Sequence, residues 1–229
     1  MSRFFSSIDD TKTFCLGNCI SVSRQLVKSK RLCSSEYFDL TLYSFGGGEG
    51  ITWQTVPGDI ILYVVQGRAV FEVDAENGGV NRFEANCADA IFVQSGKRFQ
   101  ISGSREYKLL FMIVNKGEKN MFIKNFEQGK VVELKKQIEV EAGTIVSKTL
   151  VNSNFMTMTL FAFDAGQGVS THSAPGDAFV VCLEGKAEVE LNGEKLSICE
   201  GESLIMPANA PHAVKAVEPY KMLLTVVKA

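Results

Sequence analysis

Apolar and polar positions along this chain alternate, or form short apolar runs, and nowhere repeat with the three-to-four spacing of an amphipathic helix. Phe155–Phe163 (FMTMTLFAF) alternates and is rich in Thr and Phe, and Ala178–Leu183 is continuously apolar. Ala187–Leu191 (AEVEL) alternates again and leads into Asn192-Gly193, the strongest two-residue hairpin signal. Ser203–Met206 and Met222–Val227 follow. Short strands at intervals of roughly 8–12 residues predict an all-β chain of antiparallel sandwiches or barrels.

The pattern repeats. Thr41–Glu72 and Thr159–Glu190 align at a constant offset of 118, with eleven of 32 positions identical, among them Pro57-Gly58-Asp59 with Pro175-Gly176-Asp177. The turn Asp74-Ala-Glu-Asn-Gly-Gly is longer than Leu191-Asn-Gly-Glu, so beyond it the offset falls to 113. There Ala88–Val93 tracks Gly201–Met206, and Tyr107–Val114 tracks Tyr220–Val227. The chain is therefore an internal duplication of two tandem small antiparallel β-barrels, spanning 1–115 and 121–229, with the polar Lys116–Asn120 as linker. The opening segment of each half carries a weak pattern, fitting a strand or a short helix.

Composition narrows the function. In 229 residues there are 24 basic and 26 acidic side chains, a net charge of −2 with interspersed signs, which gives no footing for nucleic acid. The longest apolar runs, such as Ile60–Val65 and Leu109–Val114, are too short to span a bilayer as helices, and residues 1–10 lack a secretory signal pattern. Six cysteines at irregular spacings fit a reducing cytoplasm better than a disulfide scaffold. Gly46-Gly47-Gly48 is no phosphate loop, since no helix, Lys or Ser/Thr follows at the needed spacing. Only two histidines occur, His172 and His212, so no site can draw three imidazoles from one chain.

Around these histidines the C-terminal half resembles the cupin superfamily, a double-stranded β-helix or jelly-roll barrel defined by two ordered motifs. In the first, Gly166, His172 and Gly185 stand at the family's spacing. In the second, Gly201, Pro207 and His212 do. With the duplication, the resemblance covers almost the whole chain and implies a bicupin. Departures are as informative. Ala174 stands at the second His position, Ala178 at the Glu, Asn209 at a Gly and Ala216 at the Asn. Of the four metal ligands the resemblance implies, His172 and His212 remain. In the N-terminal half Gln54, Val56 and Phe99 take the positions of His172, Ala174 and His212, so no metal is expected there.

Two imidazoles alone make a weak, solvent-completed site for a divalent ion such as Fe, Ni, Mn or Zn. Asp177, beside the lost Glu position, is the candidate third ligand. Against it, neighbouring strand residues point to opposite faces. The Pro-Gly-Asp triplet also recurs in the half without histidines, as a turn former whose carboxylate accepts backbone N–H groups would. The open readings of the histidines are a metal site, a pair lining a pocket, and acid–base work by one imidazole. Ala174 and Ala178 widen and depolarise the pocket, and Cys182, of the same strand parity as Ala178, is a candidate wall residue or a buried structural thiol. Lys108 and Lys221 recur in both halves, which favours a structural role.

The leading expectation is a cupin that binds a small organic molecule with an apolar part, with a weakly held divalent ion. The alternatives are a metal-dependent dioxygenase or isomerase and a ligand-sensing regulatory module. The expected assembly is a monomer or homodimer.

Overall fold

The computed structural model describes residues 4–5, 7–114, 123–126 and 129–228. The linker Lys116–Asn120 and the ends of the two sequence halves that flank it lie outside the described residues. Apart from two short 3-10 turns, Leu16–Asn18 and Leu134–Gln137, all regular structure is β-strand, and every strand pair is antiparallel. No helix among the described residues is long and apolar enough to cross a membrane.

The strands form two copies of the same pair of sheets. In one copy a six-stranded sheet runs in the spatial order Val131–Glu133, Asp89–Val93, Asp59–Gln66, Tyr107–Val114, Phe38–Phe45, Val27–Ser34. It is closed by a four-stranded sheet of Gly50–Gln54, Phe99–Ser102, Arg68–Asp74 and Val80–Asn86. In the other copy the orders are Phe14–Cys15, Glu202–Met206, Asp177–Glu184, Tyr220–Val227, Met156–Phe163, Ile145–Asn152, and Gly168–His172, His212–Ala216, Lys186–Leu191, Glu194–Cys199. Register repeats with the offsets read from the sequence. Ile60 faces Ile113 and Val93, as Ala178 faces Val226 and Met206. Phe71 faces Ile101, as Val189 faces Val214.

The compact units differ from the halves of the repeat. One comprises Gly17–Leu134; the other joins the chain from Lys135 onward to the N-terminal segment up to Leu16. The cause is strand pairing at the sheet edges. Phe14 and Cys15 pair with Ser203 and Glu202, whereas Val131–Glu133 pairs with Asp89–Ile91. Each short strand runs into a 3-10 turn whose carbonyl is held by a buried lysine. Lys108 Nζ donates to Gly17 O, and Lys221 Nζ donates to Lys135 O at 2.9 Å. A buried ammonium needs such acceptors, and this explains why the lysine recurs.

Each barrel has its own interior cluster of alternate strand residues. In the Gly17–Leu134 unit it includes Ile60, Leu62, Val64, Phe71, Phe99, Tyr107 and Phe111. In the other it includes Ala178, Val180, Cys182, Val189, Val214, Tyr220 and Met222. The first interior is packed with aromatic rings, the second with smaller aliphatic residues.

Candidate functional site

His172 ends one edge strand of the second barrel and His212 begins the strand beside it. The two are directly opposite in register, because a bulge between Val169 and His172 adds one residue to the edge strand. Bulges re-aim side chains in this way. The same bulge in the other barrel brings Gln54 opposite Phe99. The imidazole rings lie 4.4 Å apart, centroid to centroid, inclined by 58°. His172 is exposed and His212 is 4% exposed, so the pair reaches from solvent into the barrel mouth.

Both rings are held the same way. His172 Nδ1 lies 2.9 Å from Ser170 O, and His212 Nδ1 lies 2.8 Å from Ala210 O. A carbonyl only accepts, so in each ring Nδ1 carries the proton and Nε2 of the neutral form keeps its lone pair. Among the described residues neither ring has another hydrogen bond. Two basic nitrogens with fixed tautomers thus share the mouth without a protein partner. Burial, with a smaller contribution from the neighbouring His172, pushes His212 below its ordinary value near 6.5, while its bond to Ala210 opposes the shift. His212 is therefore neutral at pH 7.

That shift predicts a pH dependence of stability. The unfolded chain takes up a proton near 6.5 and the folded His212 only at lower pH, so stability is full above about 6.5 and declines as pH falls below it. Denaturation midpoints between about pH 5 and 8 should show this decline in the wild type and lose most of it in His212→Phe, which installs the residue of the other barrel. Equal profiles would refute the neutral, buried imidazole.

Asp177 does not join the histidines. It is 1% exposed, its Oδ1 accepts the Ala208 N–H at 2.8 Å, and its Oδ2 accepts the Phe4 N–H at 2.8 Å. The carboxylate ties the N-terminal segment and the 207–211 loop to one strand end, and Phe5 stacks on Phe179 two residues along, at 5.7 Å. Asp59 keeps the same duty in the other barrel, accepting the Ser95 N–H at 2.9 Å. Both oxygens that a third ligand at Asp177 would offer an ion are thus engaged by backbone N–H groups. Among the described residues no group of three or more His, Cys, Asp or Glu is placed to hold an ion. A catalytic ion takes three protein ligands as a rule, so these residues do not fit a resident catalytic metal.

Ala178 lies in the interior cluster and Ala174 is half-buried in the loop above it, where its carbonyl accepts the Asn209 N–H. Asn209 has φ +62°, so the residue at the motif's Gly position keeps the left-handed backbone that Asn tolerates. Cys182 shares the interior parity, but its Sγ contacts the Glu184 and Gly185 carbonyls and burial pushes its pKa up to about 12. It is a buried thiol, not a nucleophile.

Comparison with known proteins agrees with this geometry. A family profile described as a cupin domain matches residues 159–227. A solved structure named as a cupin 2 conserved barrel domain protein from Leptotrichia buccalis superposes with a TM-score of 0.83 at 26% identity, over 96% of this chain and 98% of that one. The chain belongs to the cupin superfamily. Oxalate decarboxylase from Bacillus subtilis shares the fold alone, with a TM-score of 0.56 at 13% identity over 96% of this chain and 78% of its own. A conserved protein of unknown function from Streptococcus pyogenes is 40% identical over 49% of this chain and 98% of its own, with a TM-score of 0.47. No curated protein matches the sequence. In this cupin the family motifs mark two places. One is the mouth with its paired histidines. The other is the Gln54/Phe99 position, where a buried phenyl ring fills the space of an imidazole.

Proposed function

We propose that the C-terminal barrel binds a small organic molecule at its mouth, using Nε2 of His172 and His212 as paired hydrogen-bond acceptors. One observation carries the reading: both Nδ1 atoms are committed to backbone carbonyls, which leaves both Nε2 atoms without a partner among the described residues. Ala174 and Ala178, in place of a His and a Glu, supply room and an apolar floor. A ligand hydroxyl or amide N–H suits imidazole acceptors better than a bare anion does. The same two nitrogens would hold a divalent ion (Fe, Ni, Mn or Zn) only weakly, with water or the ligand completing its shell. The enzyme reading has less support: oxalate decarboxylase from Bacillus subtilis, which has Mn(II) centres, is 15% identical. We assign the protein to the cytoplasm on its irregular cysteine spacing.

With only two histidines in the chain, selective ¹⁵N-histidine labelling gives a spectrum of four ring nitrogens. At neutral pH the His212 Nε2 signal should show an unprotonated nitrogen, and the two Nε2 signals together report contact with a ligand. Zn²⁺ and a set of small neutral alcohols and amides should move them. Zn²⁺ should bind at about one per chain with micromolar or weaker affinity and be lost in His172→Ala and in His212→Ala. Protonated Nε2 atoms, or binding that persists in both variants, would overturn the assignment. Metal that stays stoichiometric through dialysis against a chelator would favour the enzyme.

A further inference from the structure

The two barrels act as internal controls for each other, since their registers match residue for residue. Along the strand Asp177–Glu184 the three inward residues are Ala178, Val180 and Cys182, where the other barrel has Ile60, Leu62 and Val64. All three exchanges make the side chain smaller. Facing them, Leu224 and Val226 replace Phe111 and Ile113, and Val189 replaces Phe71. Four interior exchanges run the other way, to Leu191, Ile198, Met206 and Ala216 from Val73, Ala85, Val93 and Gly103, and none is on this strand.

At the far end of the strand sits Tyr220, fully buried, with no hydrogen-bond partner for its hydroxyl among the described residues. Its counterpart Tyr107 donates to Glu49 O at 3.0 Å. The difference traces to one methyl group. At Gly103 a Cβ would lie 2.5 Å from the Tyr107 ring, and the corresponding residue, Ala216, carries that Cβ. The Tyr ring gives way: Tyr107 stacks flat on Phe45 at 4.4 Å and 4°, whereas Tyr220 meets Phe163 at 5.7 Å and 52°. The Gln167 carbonyl, equivalent to that of Glu49, accepts the Ala216 N–H instead. A buried hydroxyl without a partner is costly, and this one lies in the cluster that contains Cys182 and Val180.

Resting on the mouth reading above, we propose that the ligand lies lengthwise inside the C-terminal barrel along this strand. Its donor group meets the histidine Nε2 atoms, its apolar body lies against Ala178 and Val180, and an oxygen at its inner end accepts the Tyr220 hydroxyl hydrogen. Four residues of strand span about 13 Å, so the ligand is a short, unbranched or flat molecule with an oxygen at each end.

The α,ω-diols from propane- to octanediol, with 1-alkanols of equal length, probe this directly by ligand-observed NMR titration. Diol affinity should peak at one chain length and exceed that of the matched alkanol about tenfold, the effect of one extra hydrogen bond in a buried site. Tyr220→Phe should abolish the diol preference, bringing diol affinity down to that of the matched alkanol. Ala178→Ile with Val180→Leu, the residues of the other barrel, should abolish binding of both. Thermal melts keep the variants interpretable: Tyr220→Phe loses no bond and should melt at or above the wild type, whereas Tyr107→Phe should melt lower. A diol preference that survives Tyr220→Phe, as a trapped water on the hydroxyl would give, overturns the inference and leaves the mouth reading standing. So does a failure of every diol to bind. Diol and alkanol binding that survives His172→Ala and His212→Ala overturns both.

Discussion

Asp177→Ala should lower the stability of the folded chain by about 2–4 kcal/mol, as the removal of a buried acceptor shared by two part-buried backbone donors requires. The Phe4 and Ala208 N–H groups, each 2.8 Å from a carboxylate oxygen, lose that acceptor once the side chain is cut back. An unsatisfied buried N–H costs about 1–3 kcal/mol, and hydrogen bonds to an ionised acceptor are the stronger kind. Asp177→Asn keeps one acceptor oxygen and should lose roughly half as much. Asp59→Ala, which orphans the Ser95 N–H alone, should also fall between wild type and Asp177→Ala. Urea denaturation of the four proteins checks the order. Zn²⁺ titration of the folded Asp177→Asn variant should match the wild type. Weakened Zn²⁺ binding with unchanged stability would restore Asp177 as a ligand.

Gly185→Ala should be as damaging, for a different reason. Gly185 has φ +77°, and a Cβ there would stand 1.9 Å from the Pro219 carbonyl oxygen, a backbone atom inside the Lys186 and Tyr220 strand junction that cannot swing aside. Left-handed backbone at a residue with a Cβ costs about 1–3 kcal/mol by itself, and relieving the overlap must shift the junction, so a total of about 4 kcal/mol or more is expected. Gly193→Ala separates the two causes. Its φ is +84°, but a Cβ there meets nothing within 4 Å, so only the backbone cost remains. Equal melting temperatures for the two variants would show that the Pro219 overlap relaxes at no cost.

The duplication and its register were legible because strands tolerate little slippage when one face is buried. Offsets of 118 and 113 read from Pro-Gly-Asp, Ala187 and Tyr220 return as strand pairs such as Ile60/Ile113 and Ala178/Val226. His172 and His212 were found through motif spacing, and Asp177 declared its backbone role by recurring as Asp59 where no imidazole exists. Three features were beyond the reach of pattern. The pairing of Phe14–Cys15 with Ser203 and Glu202 involves two residues, too few for any periodicity. The tautomers of the histidines depend on carbonyls of Ser170 and Ala210, whose positions the side-chain sequence does not encode. The orphaned Tyr220 hydroxyl follows from the methyl of Ala216, a contact between residues that alternation marks only as interior.

The mixed ownership of the N-terminal segment sets a clock on biosynthesis. Phe14 leaves the ribosome early, yet its strand partner Ser203 follows about 190 residues later, a gap of about 10–40 s at common elongation rates. Gly17–Leu134 can complete its sheets from contiguous chain during that interval. The histidine-bearing barrel cannot, because the Phe4 amide waits for Asp177 and the Phe5 ring for Phe179. Nascent chains arrested at successive lengths should therefore show one barrel protected from protease well before the other, with Phe5 among the large apolar side chains that wait longest for shelter.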